Sequence, residues 1–213
     1  FNQLYQKFGL FTIYKIESRI KLKLFKNGVT VAVIRVSGYP GAGKTVLCER
    51  LSKVLDYENY YTGGVFKKLA EEQGLSEDEL YKRMATTPAF EIRVDCKQYW
   101  LMMKKDNLIV QGRIAPFQQC NPAFKKVNLL LKVSDREGAR RQLSRPSNQG
   151  LTVEQMMERS QKRVNEEKLH YKALYGISDH FDEKCFDIVI DTTSLTENEV
   201  LMEVLKQLIP FIG

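Results

Sequence analysis

The chain has 213 residues, of which 43% are hydrophobic and 28% charged, and these values exclude wholesale disorder. Its apolar runs extend over four residues or so, which excludes a membrane span built from about 20 apolar residues. The net charge of +7 is concentrated in residues 1–29, where six lysines and arginines accompany one glutamate, so the basic character says little about the rest of the chain.

Residues 1–29 form a basic N-terminal arm. Apolar residues alternate with lysines over 20–24, which predicts a strand, and Asn27-Gly28 is typical of a hairpin turn. Apolar residues over 11–20 also fit one face of a helix, and the two interpretations stay open. The positive charge predicts an acidic partner for the arm, such as a nucleic acid or a ribonucleoprotein.

From residue 30 onward, strand-like and helix-like segments alternate, a pattern that predicts a parallel α/β sheet. Short apolar or β-branched runs indicate strands at 29–36, 59–61, 108–110, 127–133 and 186–191. Helical periodicity is found at 43–55, 66–73, 77–84, 88–105, 135–143, 152–175 and 197–209. Ser76 and Glu79 have the spacing of a capping box, and Thr152 and Gly176 mark the ends of the longest helix.

The cysteines and histidines argue against a metal centre. The four cysteines form no C-x-x-C pair, and His170 and His180 are the two histidines. A structural zinc site is therefore not expected, and reduced thiols favour a cytoplasmic location, or an organelle matrix if Phe1 is a processed end. Both histidines are interpreted as ordinary surface or helix residues.

The strongest local motif is GYPGAGKT at residues 38–45, which matches the phosphate-binding loop G-x-x-x-x-G-K-[ST]. Glycines allow positive φ angles that turn successive N–H groups inward, and the helix that follows favours anions at its N-terminus. Lys44 has the reach to contact the β- and γ-phosphates, and the Thr45 hydroxyl is a candidate Mg²⁺ ligand. The motif and its flanks predict that a nucleotide is bound by Gly38, Gly41, Ala42, Gly43, Lys44, Thr45 and Val46.

Four further segments follow the loop: YTGGVFKKLA at 61–70, VQGR at 110–113, HYKALYGI at 170–177 and DIVIDTT at 187–193. With the loop, they make residues 30 to about 208 resemble the nucleoside monophosphate kinases, most of all the archaeal-type cytidylate kinases. The resemblance implies a three-layer P-loop NTPase fold over 30–213 with a five-stranded parallel sheet. It also implies a small helical acceptor-binding insertion at about 62–106 and a helical lid at about 135–175.

The resemblance further implies phosphorylation of CMP or dCMP to the diphosphate, with ATP and Mg²⁺. Such a reaction needs positioning and positive charge around the transferred group. The family's catalytic positions match Lys44 and the lid residues Arg141, Arg145 and Arg163. Its acceptor-binding positions match Thr62, Gly63, Gly64, Lys67, Arg113 and Glu167, and its metal-binding position matches Thr45.

The chain also departs from the family pattern. Gln111 replaces the usual acid before Gly-Arg, Lys67 replaces an arginine, His170 and Lys168 stand where lid arginines are usual, and Gly138 stands where a helix arginine is common. Two alternatives follow. One is a kinase with another acceptor, AMP, UMP or dTMP. The other is a kinase-fold protein that binds nucleotide with weak or no turnover, as a structural or regulatory subunit of a larger, RNA-containing assembly. The oligomeric state is left open.

Overall fold

A computed structural model of the chain describes residues 32–76, 79–80, 83 and 89–212. The strand, turn and partner predicted for the arm 1–29 lie outside this range. The sheet contains β1 (Ala32–Gly38), β2 (Glu58–Tyr61), β3 (Leu108–Gln111), β4 (Lys125–Lys132) and β5 (Ile188–Asp191). All neighbouring strands pair in parallel in the order β2-β3-β1-β4-β5, which confirms the predicted five-stranded parallel sheet.

Helices connect these strands. They are α1 (Lys44–Leu55), α2 (Thr62–Glu72), α3 (Ala89–Lys104), α4 (Asp135–Leu143), α5 (Val153–Tyr175) and α6 (Glu197–Ile212), with short 3₁₀ turns at Ala115–Phe117, Pro146–Asn148 and Glu183–Cys185. None of the helices in the described part of the chain is long and apolar enough to cross a membrane.

The sheet lies between two layers of helices because β1 buries both of its faces. On one face, Ile34 packs in a core that includes Leu51 of α1 and Leu205 of α6. On the other face, Val33 packs with Met102 of α3. Burying an aliphatic side chain of this size stabilises the fold by about 1.5–3 kcal/mol. This arrangement is the predicted three-layer α/β/α fold.

The caps predicted from sequence are present. Ser76 Oγ accepts a hydrogen bond from Glu79 N at 3.3 Å, while Ser76 N donates to the Glu79 carboxylate at 2.8 Å. Thr152 and Gln155 form the equivalent reciprocal pair before α5, and Gly176 ends that helix in the left-handed conformation with φ of 72°. These caps satisfy backbone groups that the helix ends leave free.

Two helix boundaries differ from the prediction by more than one residue. α2 begins at Thr62 rather than at residue 66, so Gly63 and Gly64 are helical. A Cβ atom on Gly63 would lie 2.6 Å from Cε2 of Tyr61, so a larger residue here would displace the exposed Tyr61 ring. α6 continues through Pro210 to Ile212, because Ile212 is buried in the core and holds the last turn in place.

The fold brings the polar ends of neighbouring strands together. β1 and β3 pair in register from Val33 with Leu108 to Val36 with Gln111, so β3 ends beside the start of the phosphate loop. Ligands of open parallel sheets bind outside the carboxyl ends of the strands. The site is therefore expected where residues 38–45, 111–113 and the first turn of α2 meet.

Candidate functional site

The phosphate loop, residues 38–45, connects β1 to α1. Gly41 and Gly43 have φ angles of 78° and 86°, which lie in the left-handed region that glycine adopts without strain. α1 begins at Lys44, directly after Gly43, so its free N-terminal amides belong to the loop. The arrangement has the backbone features of an anion-binding site.

The loop packs closely against α4 through two glycines. A Cβ atom on Gly138 would lie 2.7 Å from the carbonyl oxygen of Pro40, and a Cβ on Gly41 would clash with the Gly138 backbone. The absence of a side chain at position 138 therefore has a steric cause. An arginine there would push the loop away from α4.

Lys44 directs its ammonium group to the loop itself. Its Nζ donates to the carbonyl oxygens of Gly38 at 2.6 Å and Tyr39 at 3.0 Å. Burial, and after it the charge of Arg113, lowers the pKa of Lys44 well below its usual range. A phosphate group near Lys44 would favour the charged ammonium and compete with the two carbonyls.

Thr45 and Gln111 form the candidate metal site. Gln111 Nε2 donates to Thr45 Oγ1 at 2.9 Å, and Gln111 Oε1 is buried with no hydrogen-bond partner among the described residues. An uncharged hydroxyl and an unpaired amide oxygen are hard ligands, but without a negative charge they bind a cation weakly. They fit a Mg²⁺ ion that keeps several waters and also binds substrate phosphates.

Glu167 lies between two of the predicted arginines. Its carboxylate is 3.0 Å from Arg113 Nε and accepts a hydrogen bond from Arg163 Nε at 2.9 Å. Burial by itself raises the pKa of Glu167, but Arg113, His180 and Arg163 together hold that pKa well below its usual range. Arg113 also donates to the Gly38 carbonyl, so this cluster contacts the start of the phosphate loop.

The interpretation of His180 as a surface or helix residue is wrong. His180 is fully buried, and its Nε2 lies 3.5 Å from Glu167 Oε2. The neighbouring Phe181 stacks on Tyr39 of the loop at 4.3 Å, and the Arg113 guanidinium lies 5.4 Å from the Phe181 ring centre. The segment after α5 therefore packs directly on the phosphate loop.

A cavity of about 240 Å³ opens beside the loop. The predicted site residues in its lining are Gly41, Gly43, Lys44, Thr45, Val46, Thr62, Gly63, Arg113, Arg145 and Arg163. Gly38 and Glu167 do not line the cavity. The Gly38 carbonyl contacts Lys44 and Arg113, and the Glu167 carboxylate contacts Arg113 and Arg163. Ala42 and Gly64 lie outside the lining, and the side chain of Lys67 lies outside the described structure.

Arg141 lies away from this cavity. Its guanidinium bonds Glu137 at 2.7 Å and the backbone carbonyl of Thr192 at 2.7 Å, after β5. In this structure it therefore joins α4 to the end of β5 rather than facing the other cations. A helical repeat places Arg140 and Arg141 on different faces, and sequence alone does not show which one faces the ligand.

α3 carries a polar face that the sequence motifs did not predict. Glu91, Asp95 and Gln98 line the cavity and are buried, although no motif marks them. Their spacing of four and three residues places them on one side of the helix. Polar residues on the same helical face as the buried Met102 are a signal that the sequence did contain.

These acids are fixed by contacts to α5. The Tyr175 hydroxyl donates to Asp95 Oδ2 at 2.5 Å, and His170 Nε2 lies 2.5 Å from Glu91 Oε2. Burial raises the pKa of Asp95 to about 7, against the opposing effect of the Tyr175 hydrogen bond. His170, interpreted as an ordinary helix residue, thus connects α5 to the lining of the cavity.

The chain is similar to known proteins over most of its length. A family model described as an AAA domain matches residues 34–187. The chain is similar to the cytidylate kinase of Methanopyrus kandleri, at 30% identity over 78% of this chain and 88% of the relative. It is also similar to the cytidylate kinase of Pyrococcus abyssi, at 32% identity over 76% of this chain and 84% of the relative.

Among solved structures, the chain is similar to the shikimate kinase from Acinetobacter baumannii in complex with shikimate. The TM-score is 0.56 at 17% identity, and the match covers 88% of this chain and 97% of the other. The shikimate kinase from Bacteroides thetaiotaomicron gives a TM-score of 0.55 at 18% identity, over 83% of this chain and 99% of the other. At such identities the likeness shows a shared fold alone.

Proposed function

The chain belongs to the nucleoside monophosphate kinase family, with archaeal cytidylate kinases among its relatives, and from that premise we propose that it transfers a phosphoryl group from ATP to CMP or dCMP. One observation carries the proposal. The phosphate loop with Lys44 and the cations Arg113, Arg145 and Arg163 open onto the same cavity. The phosphates of ATP and of CMP can therefore meet between the phosphate loop and these arginines.

The donor end of the site is the phosphate loop. Lys44 exchanges the carbonyl oxygens of Gly38 and Tyr39 for phosphate oxygens, and the loop amides bind the same phosphates. Thr45 and Gln111 would hold Mg²⁺ at this end. When bound, the ion neutralises charge on the donor phosphates and helps to orient them.

The acceptor end contains Arg113 and its neighbours. A phosphate is a charge-assisted, bidentate partner for arginine, so CMP competes with Glu167 for Arg113 and Arg163. An oxygen of the CMP phosphate then forms a bond to the γ-phosphorus of ATP, while the bond from that phosphorus to the β–γ bridging oxygen breaks and ADP leaves. The attacking oxygen is already anionic, so the step needs no general base.

The helices α4 and α5 are proposed to act as the lid. They pack against each other and carry Arg145 on the connection between them and Arg163 on α5. Movement of this pair over the bound nucleotides would exclude water and keep ATP from being hydrolysed. The residues predicted as the acceptor-binding insertion, of which Thr62 and Gly63 line the cavity, would hold the acceptor.

A second candidate is nucleotide binding with little turnover. It is favoured by Gln111, which places an uncharged amide on Thr45 where the family has an acid, and by His170, which is engaged with Glu91. Removing a contact to the developing charge in a transition state typically lowers a rate by about ten- to a thousandfold. The two candidates differ in rate and share the same binding site.

A product assay distinguishes them. The protein is incubated with ATP and Mg²⁺ and, separately, with CMP, dCMP, UMP, AMP or dTMP, and the diphosphates are resolved by chromatography. Formation of CDP or dCDP at an ordinary kinase rate supports the proposal. A different diphosphate assigns another acceptor. If no acceptor yields a diphosphate, but calorimetry still detects ATP binding, the result supports the second candidate.

A further inference from the structure

The cavity has an acidic part as well as a basic part. Glu91 and Asp95 are 6% and 7% exposed and line the cavity that also contains Lys44 and Arg113. Carboxylates repel the phosphates of both nucleotides, so these two side chains do not serve phosphate binding. Their place in the lining indicates a contact with a different portion of the ligand.

The polar groups of this part offer acceptors. The Gln98 amide is already used on both sides, because its Oε1 accepts from the Thr62 hydroxyl and its Nε2 donates to Gln118 at 2.7 Å. In the described structure, the Tyr175 and His170 contacts use one oxygen each of Asp95 and Glu91. The remaining carboxylate oxygens are hydrogen-bond acceptors, and a ligand that satisfies them must bring N–H or O–H donors.

Aromatic side chains accompany the acids. Tyr61, Phe66 and Tyr171 line the same cavity and supply flat apolar surfaces. A planar base with an amino group matches this combination, because it stacks on rings while its two amino hydrogens point to acceptors. A single ribose hydroxyl brings one hydrogen and no planar surface, so it would leave the rings and one acid without a partner in the ligand.

We propose that Glu91 and Asp95 accept hydrogen bonds from the exocyclic amino group of the acceptor base, and so make the site select an amino base such as cytosine over a keto base such as uracil. The inference rests on the proposed function and adds its specificity-determining residues. Burial raises the pKa of Asp95 to about 7, so above that pH a keto oxygen at this place would face carboxylate oxygens with no donor between them. Discrimination then comes from repulsion of the wrong base as well as from attraction of the right one.

The test uses Asp95→Asn and Glu91→Gln, which keep the shape of each side chain and replace one acceptor oxygen by a donor. We expect kcat/KM for CMP to fall and that for UMP to rise or stay constant, so that the CMP-to-UMP ratio falls at least about tenfold. The KM for ATP should not change. Glu166→Gln, an exposed residue next to Glu167 on α5, is the matched control for loss of one negative charge, and its ratio should equal that of the wild type.

A purely structural role gives a different result. If the acids only fix α3 to α5 through Tyr175 and His170, both variants lower the rates for CMP and UMP by the same factor, and that result overturns the inference. Calorimetric binding of CMP and of UMP measures the same ratio without turnover. If wild-type protein binds CMP but forms no CDP, the proposed kinase activity is refuted, while the roles of Glu91 and Asp95 in base selection are still tested by the binding ratio. If Asp95→Asn does not fold, Glu91→Gln decides the question.

Discussion

Replacement of Glu167 by glutamine should destabilise the protein through its effect on Arg113. The carboxylate is 10% exposed and lies 3.0 Å from the guanidinium of Arg113, which is 16% exposed. The glutamine side chain would keep the volume of the original one and remove its charge. Arg113 would then be left largely buried beside a neutral amide and the buried ring of His180.

The size of the effect follows from the burial of each pair. Removing one partner of a buried ion pair costs about 3–5 kcal/mol, and the lower end applies because neither side chain is wholly enclosed. The second pair, with Arg163, contributes about 0.5 kcal/mol, since that side chain is 45% exposed. We expect a loss of about 3 kcal/mol, which for a chain of this size lowers Tm by roughly 6 to 12 °C.

The pH dependence identifies the carboxylate as the cause. Because the pKa of Glu167 is lower in the folded protein than in the unfolded chain, its stabilising contribution is complete above pH about 4.5 and is lost as the pH falls through the folded value. Urea unfolding of wild type, Glu167→Gln and the control Glu166→Gln should show the full deficit at pH 7 and a smaller one at about pH 3.5. Equal stabilities at pH 7, or a deficit that does not shrink in acid, would show that the charge of Glu167 does not stabilise the fold.

Three further predictions concern the cavity. Lys44→Ala should abolish diphosphate formation and strongly weaken ATP binding, measured by product assay and calorimetry, and normal kinetics would contradict the role of the phosphate loop. Gln111→Glu should raise kcat if the missing acid limits turnover, whereas an unchanged or lower kcat would show that Mg²⁺ is held differently. Asp95→Asn should become more stable relative to wild type as the pH rises from about 4 to 7, because the raised pKa of Asp95 makes its ionisation costly in the folded protein. The difference in the free energy of unfolding should reach about 4 kcal/mol and should not grow further above pH 7. If urea unfolding shows a difference that stays constant with pH, the carboxyl is not buried.

The sequence was sufficient for the sheet and the phosphate loop. Strand and helix periods alternate regularly, and the parallel order places the ends of β1 and β3 side by side. Arg113 could be assigned to the site because it follows a buried strand at that edge. These predictions depend on local patterns and one general rule of parallel sheets.

Contacts between distant helices could not be predicted in the same way. His180 lies in a polar segment that is typical of an exposed loop, yet it is fully buried and packs against Tyr171 of α5. Asp95 and Tyr175 are 80 residues apart and meet only because α3 and α5 flank the cavity. Arg141 belongs to a helix with arginines on several faces, and tertiary packing alone decides which of them faces the ligand.

The contact between Gly41 and Gly138 has a consequence for how this chain can change. An arginine at position 138, expected from the family resemblance, would require space that the Pro40 carbonyl oxygen occupies, 2.7 Å from the position of a Cβ. A single substitution there would displace the phosphate loop before the new cation could help catalysis. An arginine at position 138 can therefore be accommodated only after the backbone of the phosphate loop has moved. The effects of substitutions at residues 40 and 138 should depend strongly on each other.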